Sequence, residues 1–132
     1  MTEDSLCQEL QCVAARYLLR HQSILDILSK LQETGSRINR ATVKTVTNCG
    51  CLKINASKKI LPEDATLEDF INIMDSDIEG DLCTDCREII EQEIGQNLFY
   101  LAALCNTLDI DLDVVMKKEL LTAETLRFFQ FK

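Results

Sequence analysis

Four of the seven cysteines fall into two close pairs, Cys49-Gly50-Cys51 and Cys83-Thr84-Asp85-Cys86. Zinc takes four ligands in a tetrahedron, and thiolates suit it because they are soft and anionic. Two residues between ligands let one turn aim both sulfurs at a single ion. The glycine between Cys49 and Cys51 supplies the backbone freedom that a one-residue spacer demands. The second pair falls where a helix begins, so the helix N-terminus helps to hold an anionic cluster. An iron–sulfur cluster, a redox disulfide or four unligated thiols are the competing readings. A site with four protein ligands leaves no open position for water and is structural. It would clip a loop after the second helix to the start of a longer one. Cys7, Cys12 and Cys105 read as core or surface thiols.

Other chemistry has less support. His21 is the single histidine and reads as a hydrogen-bonded core residue. Neither a nucleophile elbow nor a phosphate-binding glycine loop occurs. Glu88, Glu91, Gln92, Glu93 and Gln96 crowd one stretch. Glu88 and Glu91 stand one turn apart and can share a helix face, whereas Glu93 points elsewhere with Gln96 and Asn97. Magnesium needs carboxylates gathered from facing helices, usually with phosphate oxygens and water, and a solvated acidic face is the plainer reading.

The net charge of −8 is unevenly spread. No acidic residue occurs from Thr34 to Pro62, where Arg37, Arg40, Lys44, Lys53, Lys58 and Lys59 fall. From Glu63 to Asp113 the single basic residue is Arg87. The two segments form solvated faces of opposite sign, or attract each other within the fold or across a dimer. The acidic balance and the lack of aromatics within the basic stretch argue against nucleic acid.

The elements that must position these groups are helical. A 132-residue chain that is 46% hydrophobic with one proline and four glycines fits one domain over residues 1–132, all-α in class. Charges interrupt every apolar run before membrane-spanning length and no secretory segment follows Met1, so a cytoplasmic location is expected. Leu10, Ala14, Tyr17, His21, Ile24, Leu28 and Leu31 alternate steps of four and three and predict one first helix, widened by Leu18, Leu25 and Ile27. Thr34, Gly35 and Ser36 predict a stop, with Ser36 capping a second helix from about Arg37 to Thr47 whose core residues are Ile38, Val43 and Val46. Leu52 to Leu61 reads as an extended connector. Thr66 caps a short helix through Met74, with Asp69 completing the cap. A long helix follows from about Thr84 to Leu108, with Ile90, Ile94, Asn97, Leu98, Leu101, Cys105 and Leu108 on one face. Asp111 restarts a last helix carrying Leu112, Val115, Met116, Leu120 and Leu121. The apolar tail Phe128, Phe129 and Phe131 is expected to dock on the domain or on a partner chain.

Residues 91–106, EQEIGQNLFYLAALCN, followed by 108–115, LDIDLDVV, resemble the back half of the MazG-like nucleotide pyrophosphohydrolases, which read E-E-L-G-D-x-L-W-Y-L-A and then G-I-D-L-E-E-V. The match covers about 30 residues. The resemblance implies a MazG-like all-α bundle assembled as a homodimer or higher homo-oligomer. It also implies magnesium held by E-x-x-E on one helix and E-x-x-D on the next, and hydrolysis of nucleoside triphosphates to monophosphate and pyrophosphate. On the long helix Glu93 matches the family glutamate, but the aspartate position is Gln96. The helix from Asn39 to Asn48 stands where E-x-x-E belongs and has no carboxylate; Arg40 and Lys44 occupy that face. The cysteine pairs are foreign to these enzymes.

Three functions are therefore in view. One is a non-catalytic MazG-like domain, zinc-stabilised, that binds a nucleotide, another phosphorylated ligand or a protein, with Arg37, Arg40 and Lys44 facing phosphate in place of the metal. Another is an active magnesium-dependent pyrophosphohydrolase that uses Glu88, Glu91 and Glu93. The third is a cysteine-based redox or metal sensor.

Overall fold

A computed structural model describes residues 5–17 and 23–130, the last four as backbone alone. Within them five helices and one two-stranded sheet run in the order α1 (Leu6–Tyr17), α2 (Ile24–Lys44), a wide turn (Thr45–Cys49), β1 (Leu52–Ile54), α3 (Leu67–Ile73), β2 (Ile78–Gly80), α4 (Thr84–Thr107) and α5 (Leu112–Gln130). The chain is mostly helical, as its composition predicts, and the small sheet is the addition. No helix among the described residues is long and apolar enough to cross a membrane. His21 and Leu18 lie outside the described residues, as do Phe131 and the side chains of Phe128 and Phe129.

The predicted break at Thr34-Gly35-Ser36 is absent: α2 runs through it without interruption. Its start is capped instead by Ser23, whose hydroxyl oxygen accepts from the Leu25 N–H at 3.3 Å. Three bonds keep the helix going. Thr34 is buried, and its Oγ1 donates back to the Lys30 carbonyl at 2.8 Å, so the hydroxyl reinforces the turn rather than ending it. The Asn97 amide of α4 then donates to Thr34 Oγ1 at 3.0 Å and to the Leu31 carbonyl at 3.4 Å. Tertiary contact thus outweighs the weak helix propensities of this stretch. The β-branched run at the far end does act on the backbone. The α-helix stops at Lys44, and the Gly50 N–H reaches back five residues to the Thr45 carbonyl at 2.8 Å.

α2 and α4 form the central pair and run antiparallel. The wide turn that follows α2 meets the N-cap of α4, while Ile27 near the start of α2 shares a core with Ala102 and Ala103 near the end of α4. Ala14 of α1 joins that core, with Leu10, Leu31, Phe99, Tyr100, Leu104 and Leu112 packed around it. Gln11 fastens α1 to the α4–α5 corner by donating to the Ile110 carbonyl at 2.8 Å and accepting from the Leu112 N–H at 2.9 Å. α3 carries the expected cap, a reciprocal pair of bonds between Thr66 and Asp69. Several residues expected in a core stay open. Val43, Ile94, Leu98, Leu108, Leu120 and Leu121 are all exposed.

Thr34→Val keeps the shape of a fully buried side chain but leaves the Asn97 amide short of an acceptor in the α2–α4 seam. We expect it to lower unfolding stability by about 1–3 kcal/mol in urea titrations. Unchanged stability would remove the seam bond as the reason α2 is continuous.

Candidate metal centre

Residues from two distant stretches must meet for the cysteines to share anything, and the sheet brings them together. β1 and β2 pair antiparallel, with Leu52 opposite Gly80 and Ile54 opposite Ile78. Cys51 therefore enters β1 beside the point where the chain leaves β2 toward Cys83. Gly80 permits the approach. It sits at φ 91°, and a Cβ there would stand 2.5 Å from the Cys51 carbonyl oxygen, a contact no other residue type tolerates. Beyond the strands, the Asn55 N–H donates to the Asp77 carbonyl at 2.8 Å, Asn55 Nδ2 to Glu79 at 3.0 Å, and Lys59 pairs with Asp77.

The four thiols then converge. Cys49 ends the wide turn after α2, Gly50 turns the chain through φ 78°, and Cys51 follows. Cys83 is the N-cap residue of α4, its sulfur accepting from the Cys86 N–H at 3.4 Å, and Cys86 lies in the first turn. All four sulfurs lie within 4.8 Å of one another, and those of Cys49 and Cys83 are 3.8 Å apart. Four sulfurs about 2.3 Å from a tetrahedral zinc stand about 3.8 Å from each other. A disulfide needs about 2.04 Å, and all seven cysteines are free thiols. This cluster could hold a metal ion.

The thiols influence one another's protonation. Cys83 is lowered to about 7, chiefly by the Cys86 backbone N–H and also by the Cys86 thiol. Cys86 is pushed far up, first because its proton is held by the Cys83 sulfur and then by burial. On Cys49 the Cys51 N–H favours the thiolate, but the neighbouring Cys83 and Cys51 sulfurs turn the net shift upward. The Cys83 thiolate forms readily while Cys49 and Cys86 resist ionising, a conflict that a bound cation would resolve.

The other candidate residues are spread out. Arg37, Arg40 and Lys44 are exposed and follow one another by three and four residues along the continuous α2, so they share one side of it. Arg37 is paired with Glu33 at 2.8 Å, which Lys30 also reaches at 3.1 Å. Glu88 and Glu91 are exposed on α4. Glu93 is half-buried, and its Oε2 is buried with no hydrogen-bond partner among the described residues. The three carboxylates form no cluster. Away from the cluster, Cys12 and Cys105 line a cleft of about 390 Å³ between α1 and the α4–α5 corner. Burial pushes the Cys105 thiol up. The Cys7 thiol meets the Met116 sulfur at 2.8 Å. Gly80 and the Thr45 carbonyl, the latter accepting from Gly50 and, at 3.9 Å, from the Cys51 thiol, are the supporting parts that residue spacing did not single out.

No protein-family model matches this chain, and no curated protein or solved structure matches it.

Gly80→Ala should cost about 1–3 kcal/mol, because both the backbone angle and the Cys51 carbonyl oppose a methyl group. Gly95→Ala, on an open stretch of helix, serves as the control and should gain up to about 1 kcal/mol. Thermal melts of the two variants check this; an equally stable Gly80→Ala protein would contradict the strand pairing beside the thiols.

Proposed function

We propose that this chain is a non-catalytic, MazG-like helical binding module in which Cys49, Cys51, Cys83 and Cys86 hold one structural zinc ion. A nucleotide or other phosphorylated ligand binds along the Arg37, Arg40 and Lys44 side of α2. The observation that carries the reading is the gathering of four sulfurs within 4.8 Å, two from just after α2 and two from the start of α4. Thiolates at that spacing match a tetrahedral zinc set, and a four-thiolate site is closed to substrate. The ion would then fix α2 against α4, and with them the basic side of α2. Guanidinium and ammonium groups at three- and four-residue spacing neutralise phosphate without a metal. The exposed positions of Glu88 and Glu91, remote from Glu93 around the helix, favour binding over hydrolysis, since metal-assisted phosphoryl chemistry needs converging carboxylates.

A second reading rests on Glu93. Its buried, unpartnered Oε2 is a carboxylate oxygen suited to a cation, and a magnesium-dependent pyrophosphohydrolase would use it. One experiment separates the two. The protein, purified without added metal, is analysed for zinc, melted with ATP or dATP in the presence and absence of magnesium, and assayed for pyrophosphate release. The binding module contains one zinc per chain and releases no pyrophosphate. Its melting temperature rises with nucleotide in the absence of magnesium, and Arg40→Ala/Lys44→Ala loses that rise. Magnesium-dependent release of pyrophosphate that disappears in Glu93→Gln would replace this reading with the hydrolase.

A further inference from the structure

Of the four clustered thiols only Cys49 is exposed; Cys51, Cys83 and Cys86 are half-buried. A reagent arriving from solvent therefore meets Cys49 first. Its sulfur faces that of Cys83, 3.8 Å away on the other segment of the cluster. Cys51 is turned toward the wide turn, where its thiol donates to the Thr45 carbonyl at 3.9 Å. A single residue, Gly50 at φ 78°, separates Cys49 from Cys51, and a bond across so short a link would close a strained ring.

A disulfide is about 2.04 Å long, so the Cys49 and Cys83 sulfurs would need to approach by about 1.8 Å. Rotation about the two Cα–Cβ bonds supplies such a movement. The new bond would join the same two segments that a shared ion would join, the turn after α2 and the N-cap of α4. The rest of the register is held without the thiols, by the β1–β2 pairing and by Asn97 in the α2–α4 seam. Exchanging the ion for the bond therefore leaves the helix pair where it was.

Resting on the zinc reading above, we propose that Cys49 and Cys83 are an oxidative modification site. A hydroperoxide joins them as a disulfide and frees the zinc, while the α2–α4 pair stays folded. The Cys49 thiolate attacks the peroxide: an S–O bond forms, the O–O bond breaks, and the departing oxygen takes a proton and leaves as alcohol or water. The Cys83 thiolate then attacks the Cys49 sulfur. The S–S bond forms, the S–O bond breaks, and the hydroxide takes a second proton and leaves as water. The two sulfurs have lost two electrons and the peroxide has gained them. Cys51 and Cys86 remain, and two thiols do not fill a tetrahedral site. A dithiol reductant reverses the change by thiol–disulfide exchange, and added zinc then refills the site.

Metal analysis of the full chain as purified comes first, and one zinc per chain is expected. One equivalent of hydrogen peroxide should then release that zinc to a colorimetric chelator. Peptide mass mapping should find Cys49 joined to Cys83, with helical content unchanged by circular dichroism. The oxidised, metal-free protein should melt about 10 °C above the reduced, metal-free protein, because the cross-link restricts the unfolded chain. Cys49→His keeps a fourth zinc ligand but removes the exposed sulfur, and should release zinc about 10-fold more slowly. Cys12→Ser, in the cleft beside α1, should release it like the parent. A chain purified without zinc would remove the zinc reading and this inference with it. Zinc that stays bound in a large excess of peroxide, a disulfide from Cys83 to Cys86 or from Cys49 to Cys51, or helices lost together with the metal would overturn this inference and leave the zinc reading standing.

Discussion

Four cysteine sulfurs from segments 34 residues apart meet within 4.8 Å, and most of the fold answers to that meeting. The end of α2 must finish beside the start of α4, so the two helices lie antiparallel. The chain between them must leave Cys51 and return to Cys83 along nearly the same line, and the short β1–β2 pair does this. Gly80 is needed because the returning strand passes so close to the Cys51 carbonyl. The shared protons favour the Cys83 thiolate and oppose ionisation of Cys49 and Cys86, and four sulfurs so placed could hold a metal ion.

The seam between α2 and α4 carries the constraint to the other end of the molecule. Asn97, held between Thr34 and Leu31, fixes the axial register of the pair where no metal reaches. Ile27, Ala102 and Ala103 anchor the far end with Ala14. This core is small. The β1–β2 pairing beside the thiol cluster at one end and a polar bond in the middle add to what apolar burial supplies. The same arrangement sets which way each side of α2 faces. The seam takes one side and the basic residues Arg37, Arg40 and Lys44 a second.

Much of this was legible in the residues, and the misses have physical causes. The cysteine pairs, the span of α4 and the Thr66 cap depend on local spacing, which a sequence displays directly. The continuity of α2 does not. Thr34, Gly35 and Ser36 prefer to end a helix, and only a side chain from α4, 63 residues later, reverses that preference. Two strands of three residues are too short to carry a period of their own, so β1 read as a connector. Of the stripe expected on the core face of α4, Ile90, Asn97, Leu101 and Cys105 are half-buried, while Ile94, Leu98 and Leu108 are exposed. Periodicity marks a face as apolar without saying whether the same chain or another covers it. That Glu93 stands apart from Glu88 and Glu91 was, by contrast, legible in the helical spacing.

The central claim is that the four thiols bind one zinc ion. X-ray absorption at the zinc edge of the purified protein tests it most directly, since it reads the atoms around the metal. The account predicts a single shell of four sulfurs at about 2.3 Å, with no nitrogen or oxygen ligand. A shell containing oxygen or nitrogen, or protein that carries iron or no metal at these cysteines, would contradict it.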